Sequence, residues 1–190
     1  MTVGKAQTVG LRSRTVDRWA HRMKDGRTVV VRRALERDAE QLLRNINEVG
    51  AEQDWILTEA ITWDPIRERE WIRNFDNVNS VLYVAEVDGR LVGQADAHIS
   101  MYPKARHVAS LGIAIVRGYR EFGIGRTLMD RVLAWMETRG VEKATLEVFS
   151  TNERAIALYT KMGFEVEGAR KRQFKIRGQW VDDVYMAKWL

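Results

Sequence analysis

Eight residues, Gly118-Tyr119-Arg120-Glu121-Phe122-Gly123-Ile124-Gly125, separate an apolar run rich in β-branched residues from a stretch of helical period. The run before them, Val108–Val116, reads as a buried strand. The stretch after them, from Arg126 to about Arg139, sets Leu128, Val132, Trp135 and Met136 on one face and stops at Gly140. A glycine-bearing turn between strand and helix leaves backbone N–H groups unpaired at the positive end of the helix. Such an end takes a phosphate or diphosphate, and glycine lets the main chain approach it closely. Arg120 and Arg126 are placed to add charge-assisted donors. Two common nucleotide fingerprints do not fit. No Gly-Lys-Ser/Thr closes the turn, and Leu128 stands where a dinucleotide fingerprint needs its third glycine. An ordinary glycine-rich turn is the bland alternative.

The remaining elements surround this feature. Thr28–Arg32 is expected as the first strand, and Leu35, Leu42, Leu43 and Ile46 mark a helix ending near Gly50. Residues 51–63 form a loop holding Trp55 and Trp63, and Pro65 opens a helix to about Phe75. Val81–Val87 and Leu91–Met101 flank Asp88-Gly89, a strong hairpin signal. Ala144–Phe149 is a strand, and Asn152 caps a helix that Gly163 ends. Phe164–Glu167 and Val181–Lys188 are the last strands, joined through a basic stretch. The fold class is α/β (α+β): one mixed, largely antiparallel central sheet flanked by helices.

Residues 1–26 carry a balance of +4 out of the chain's +5. They are expected as a basic, poorly ordered tail, with a short helix over Thr15–Lys24 around Trp19 and Met23, and residues 27–190 as the folded domain. The basic tail reads as a solvated segment or as an arm for nucleic acid or an anionic surface. Trp19 is its one aromatic, which argues against a stacking platform. The absence of cysteine excludes disulfides, thiolate metal sites and a cysteine nucleophile; no metal site is expected. No run reaches the ~20 apolar residues of a membrane helix, and the first 30 residues lack the apolar core of a secretory signal. A soluble cytoplasmic protein is expected, with no membrane and no nucleic-acid partner.

The segment Leu111-Gly112-Ile113-Ala114-Ile115, followed by Arg120, Gly123 and Gly125 in the pattern Gln/Arg-x-x-Gly-x-Gly/Ala, resembles the acyl-coenzyme A signature of the GNAT superfamily of N-acetyltransferases. Asn152, Ala155-Ile156-Ala157-Leu158-Tyr159 and Gly163-Phe164 resemble its second block. The resemblance covers about residues 27–190, weakly before Val81 and well after Val108. The run Leu146-Glu147-Val148, then Asn152 and Ala155-Ile156-Ala157-Leu158-Tyr159, is similar to ribosomal-protein alanine N-acetyltransferases. The tail from Gly163 to Met186 is similar to amino-acid and phosphinothricin-type N-acyltransferases. The resemblance implies an acyl-CoA N-acyltransferase fold with acetyl-CoA as acyl donor. Ile113, Ala114 and Ile115 would pair with its pantetheine arm, where strand and next parallel strand splay. Arg120, Glu121, Phe122, Gly123, Ile124, Gly125 and Arg126 would cradle the diphosphate. Asn152 and Tyr159 would also touch the coenzyme.

Amine attack on a thioester needs no protein nucleophile, but it does need proton transfer. An alkyl amine is mostly protonated at neutral pH, and a leaving thiolate gains from a proton. The resemblance places Tyr159 beside the sulfur as acid and Glu147 as base. Each also has an ordinary reading, Tyr159 as a half-buried aromatic and Glu147 as a solvent-facing strand residue. Asp96 and His98 are the substitutes for the base, and His107 a weaker one. Trp55, Trp63 and Trp71, with Glu52, Asp54, Glu59 and Asp64, either receive a cationic amine or anchor the loop to the core. The basic stretch Arg170–Arg172 with Lys175 and Arg177 either meets an anion or is a solvated hairpin face. The expected reaction is transfer of acetyl to a primary amine on a small molecule or a protein, in a ternary complex; a homodimer is allowed. The alternatives are a catalytically silent CoA-binding regulatory module of the same fold, or a nucleic-acid-associated protein led by the tail.

Overall fold

The computed structural model describes residues 18–190. Eight strands form one sheet in the order β1-β2-β3-β4-β5-β6-β8-β7. In sequence they are β1 (Arg18–Arg22), β2 (Thr28–Arg33), β3 (Ser80–Val87), β4 (Arg90–Ile99), β5 (Val108–Ile115), β6 (Lys143–Phe149), β7 (Glu165–Ile176) and β8 (Gln179–Trp189). Every neighbouring pair is antiparallel except β5 with β6. Among the described residues there are four α-helices: α1 (Ala39–Ala51), α2 (Pro65–Arg73), α3 (Ile124–Thr138) and α4 (Glu153–Lys161).

Local chemistry sets most boundaries. Asp88 and Gly89 both hold positive φ, 50° and 78°, as a two-residue type I′ hairpin requires. The Asp64 carboxylate accepts from the N–H groups of Ile66 and Arg67 at 2.9 and 3.0 Å, with Pro65 as first helical residue of α2. Asn152 Oδ1 accepts from Ala155 N–H at 3.2 Å and starts α4.

Strand alternation then divides the core. Leu128, Val132 and Met136 of α3 join Val31, Val81, Tyr83 and Ala95 in the larger cluster, on one face of the sheet. Leu42 of α1 and Ile72 of α2 pack with Leu82, Val84 and Leu91 on the other face.

Two expectations need correction. The helix expected over Thr15–Lys24 is a strand over Arg18–Arg22, laid antiparallel on β2, while Thr15–Asp17 lie outside the described residues. Trp19 crosses the Tyr83 ring edge-on at 5.7 Å and Met23 is buried. The sheet therefore reaches back past the boundary expected at residue 27. The rest of the basic tail, residues 1–17, lies outside the described residues. The basic stretch after Glu167 is not a connector but most of β7. Its acids come from other segments: Asp183 faces Arg170 at 3.4 Å, and Asp182 meets Lys171 at 2.9 Å.

Candidate active site

The sheet parts at its one parallel pair. β5 and β6 share three rungs, Val108 with Lys143, Ala109 with Ala144 and Ser110 with Thr145. Beyond them each strand stays paired on its outer side, β5 with β4 as far as Ile115 and β6 with β8 as far as Phe149. Ladder alternation shows which groups face the parting. Ser100 N–H donates to the Val108 carbonyl at 2.9 Å, and Val116 N–H to the Val92 carbonyl at 3.0 Å. Even-numbered β5 residues thus bond to β4, and the main-chain groups of Leu111, Ile113 and Ile115 turn to the parted side. Arg120 Nε–H donates to the Ile115 carbonyl at 2.8 Å. The Ile113 N–H and carbonyl and the Ile115 N–H are the groups an extended ligand would pair there.

Immediately after β5 comes the glycine turn. Gly118, Glu121 and Gly123 hold φ of 86°, 71° and 93°. Gly123 caps α3 from the left-handed region, where a side chain would strain the backbone. The helix starts at Ile124, two residues earlier than expected. Thr127 N–H returns to the Gly123 carbonyl at 3.1 Å, so the amides of Ile124, Gly125 and Arg126 are those with no partner from the helix itself. Ile124 is buried in the core and can serve an anion only through its main chain. A pocket of about 730 Å³ opens on this turn, lined among others by Trp55, Arg117, Gly118, Phe122 and Arg154. The reading of the sequence did not single out Arg117 and Arg154. Arg154 was legible in principle, as the second residue of a capped helix inside the second block.

The two proton-handling candidates lie on opposite faces. Ser110 is level with Thr145 and with His98, so Thr145, Glu147, Asp96 and His98 share the face covered by α1 and α2. Extending that register sets Glu147 level with Asp96 across the parting, at least about 10 Å away by two strand spacings. Glu147 reaches solvent. Its carboxyl is nevertheless held above the usual range, first by desolvation beside β8 and then by the Asp183 charge and a hydrogen bond to that carboxyl. Asp183 itself is 2% exposed.

Tyr159 belongs to the other face, with Leu146, Val148 and Phe164 in the larger cluster. Leu158, beside it on α4, converges with the Ile113 and Ile115 side chains on Gly125. Burial pushes the Tyr159 phenol up to about 12, so it stays protonated and able to donate near neutral pH. Asn152 is committed to capping α4.

The substitutes are less central. Asp96 and His98 are paired at 3.2 Å, with the Phe75 ring 5.2 Å from His98. His107 adjoins the start of β5, at the end away from the glycine turn, where its carbonyl accepts from Lys143 N–H. Trp55 and Trp63 are tied in place by their indole N–H groups, which donate to Glu52 at 2.7 Å and Glu68 at 2.8 Å. Among the described residues no cluster of three or more metal-ligating side chains occurs, and no helix is long and apolar enough to cross a membrane.

A central sheet parted beside a glycine-rich helix start is the build of the acyl-CoA N-acyltransferase fold. The chain belongs to the Acetyltransferase (GNAT) family, whose model matches residues 47–164. The L-amino acid N-acetyltransferase AaaT of Escherichia coli is 34% identical over 109 residues, 55% of this chain and 65% of its own length. The chain thus spans slightly under two thirds of that relative. The crystal structure of a ribosomal-protein-alanine N-acetyltransferase from Brucella melitensis superposes with a TM-score of 0.76 at 28% identity, covering 84% of this chain and 99% of that one. A phosphinothricin acetyltransferase from Sinorhizobium meliloti, solved in complex with AcCoA, shares the fold at TM-score 0.78 and 20% identity, covering 85% and 88%.

Proposed function

We propose that this chain is an acetyl-CoA-dependent N-acetyltransferase, passing acetyl to a primary amine by direct attack in a ternary complex. One observation carries the reading. The Ile113 N–H and carbonyl and the Ile115 N–H face the parting, and the glycine turn that follows leads to the first-turn amides of α3, so a single ligand that is strand-like at one end and a diphosphate at the other fits both. Acetyl-CoA supplies an already activated acyl group.

Ile113, Ala114 and Ile115 align it as a false strand, and the main chain of Arg120 through Arg126 holds its phosphates. A gap-side N–H of β5 is the donor to the carbonyl oxygen. Glu147 takes the proton from the incoming ammonium on the α1–α2 face; its raised pKa brings it closer to neutral pH than an ordinary glutamate. Tyr159, on the opposite face, donates its phenolic proton to the departing sulfur. The acceptor is a free amino acid or a peptide or protein N-terminus; the relatives' names give an L-amino acid for AaaT and an alanine of ribosomal protein bS18 for the other Escherichia coli enzyme.

Calorimetry with acetyl-CoA, followed by thiol release with free L-amino acids and a peptide with N-terminal alanine, tests the reading. Tyr159→Phe should lower kcat while leaving acetyl-CoA affinity in place. Gly123→Val should abolish coenzyme uptake. A well-folded protein that takes up no acyl-CoA ends the proposal. One that binds acetyl-CoA and releases no thiol with any amine is a binding module instead.

A further inference from the structure

Arg120 is the motif cation that the sequence offers to the diphosphate, yet its side chain is already engaged. Its Nη1 and Nη2 groups donate to both oxygens of Glu52 at 2.8 and 2.7 Å, and its Nε–H to the Ile115 carbonyl at 2.8 Å. The guanidinium lies over the Trp55 ring, 5.1 Å from its centre. Side-chain exposures of 21% for Arg120 and 19% for Glu52 keep the fork largely out of water. The Glu52 carboxylate also accepts from Trp55 Nε1, and its backbone carbonyl accepts from Arg177 at the β7–β8 hairpin tip. Arg177 reaches Asp54 as well, at 3.2 Å. Glu52 follows directly on α1 and begins the loop that leads to α2. It therefore ties the loop between α1 and α2, which the family resemblance sets over the acceptor site, to the last residue of β5, to the glycine turn and to the hairpin tip.

We infer that Glu52 is a positioning residue of the transfer reaction. Through Arg120 it fixes the Ile115 peptide group at the parting and holds the acceptor loop at a set distance from it. The inference rests on the proposed acetyltransfer and adds to it a coupling between the coenzyme seat and the acceptor loop. The fork gives that coupling a particular sign. Neutralising Glu52 loosens the loop, and it also frees a guanidinium within the pocket that holds the diphosphate. Acceptor binding then weakens while acetyl-CoA binding holds or tightens. A merely structural role for Glu52 would weaken both together.

The test measures the acetyl-CoA Kd by calorimetry, and KM and kcat for the free L-amino acid or alanine-initiated peptide that the wild type acetylates fastest. The proteins are the wild type, Glu52→Gln, Arg120→Lys and the double variant. Glutamine keeps an acceptor for Trp55, so Glu52→Gln should fold. It should raise acceptor KM roughly ten- to a hundredfold, the range of a charged hydrogen-bonded pair, with acetyl-CoA Kd unchanged or lower. Arg120→Lys has no planar fork and should raise acceptor KM likewise, and the double variant should be little worse than either single one. Unchanged acceptor KM in both single variants overturns the inference, and so does a parallel loss of acceptor and coenzyme binding in Glu52→Gln. Wild type that binds no acetyl-CoA overturns the proposed function as well, which separates the two failures.

Discussion

Replacing Gly50 with alanine sets two well-known effects against each other, and the geometry decides between them. Gly50 is buried in the last turn of α1. On helix propensity alone, alanine there should stabilise the protein by about 1 kcal/mol. The loop between α1 and α2, however, lies directly on that turn. An alanine Cβ would stand 2.5 Å from the Glu59 carbonyl oxygen and 2.9 Å from its carbon, with the Thr58 carbonyl oxygen nearer still. These are backbone atoms, so no rotamer relieves the overlap. The loop cannot simply lift away, because the Asn47 amide holds Ile61 at both its N–H (2.6 Å) and its carbonyl (3.1 Å). Overpacking costs about 1–3 kcal/mol, and each surrendered hydrogen bond about 1 kcal/mol more. The net expectation is a loss of about 1–2 kcal/mol, a fall in Tm of roughly 2–8 °C for a chain of this size, together with a higher acceptor KM. Thermal melts and amine titrations read both. A Tm that rises by about 2–4 °C, the propensity result, would mean that the loop does not rest on α1 and that the reasoning is wrong.

Other expectations follow from buried charge. Asp38→Ala should cost about 3 kcal/mol in urea denaturation, because Arg32 is 4% exposed and would retain only Glu86 as a side-chain partner; a loss below about 1 kcal/mol counts against the pair. Burial raises the Glu68 carboxyl above its ordinary 4.5 despite the Trp63 hydrogen bond. The folded state therefore holds that proton more tightly than the unfolded chain, and this contribution is lost as pH rises through the raised value. Glu68→Gln should gain stability relative to wild type from about pH 4.5 upward and show no gain below it; equal melting curves at pH 8 would contradict this. Asp183→Asn removes the charge and the carboxyl contact that help to raise Glu147 and frees Arg170 to lower it further. The acid limb of kcat/KM should shift to lower pH, and a limb that stays put would show that Glu147 is not the base.

Much of the fold was legible because it is locally encoded. Asp88-Gly89, Pro65, Asn152 and Gly123 each dictate a backbone state within a few residues. What escaped is non-local. Arg18-Trp19-Ala20-His21-Arg22 has no strand pattern of its own and becomes β1 by pairing with β2 and resting Trp19 on Tyr83. The run from Arg170 to Arg177 looked uncompensated because its acids sit on β8 and in the loop between α1 and α2. The glycine turn was readable as a cradle, but the direction of the Arg120 side chain was not. Its partner lies 68 positions earlier, and nothing in either local sequence announces the pair.

A sheet stitched between β5 and β6 by three rungs joins unequal wings, five strands on one side and three on the other. A ligand lodged in the slot knits the wings together, and at a hundred times its Kd mass action alone adds about 2.7 kcal/mol to the folded state. Amide exchange along β5 and β6 should therefore slow most on saturation. The seam with the fewest rungs is the one that such a ligand would close.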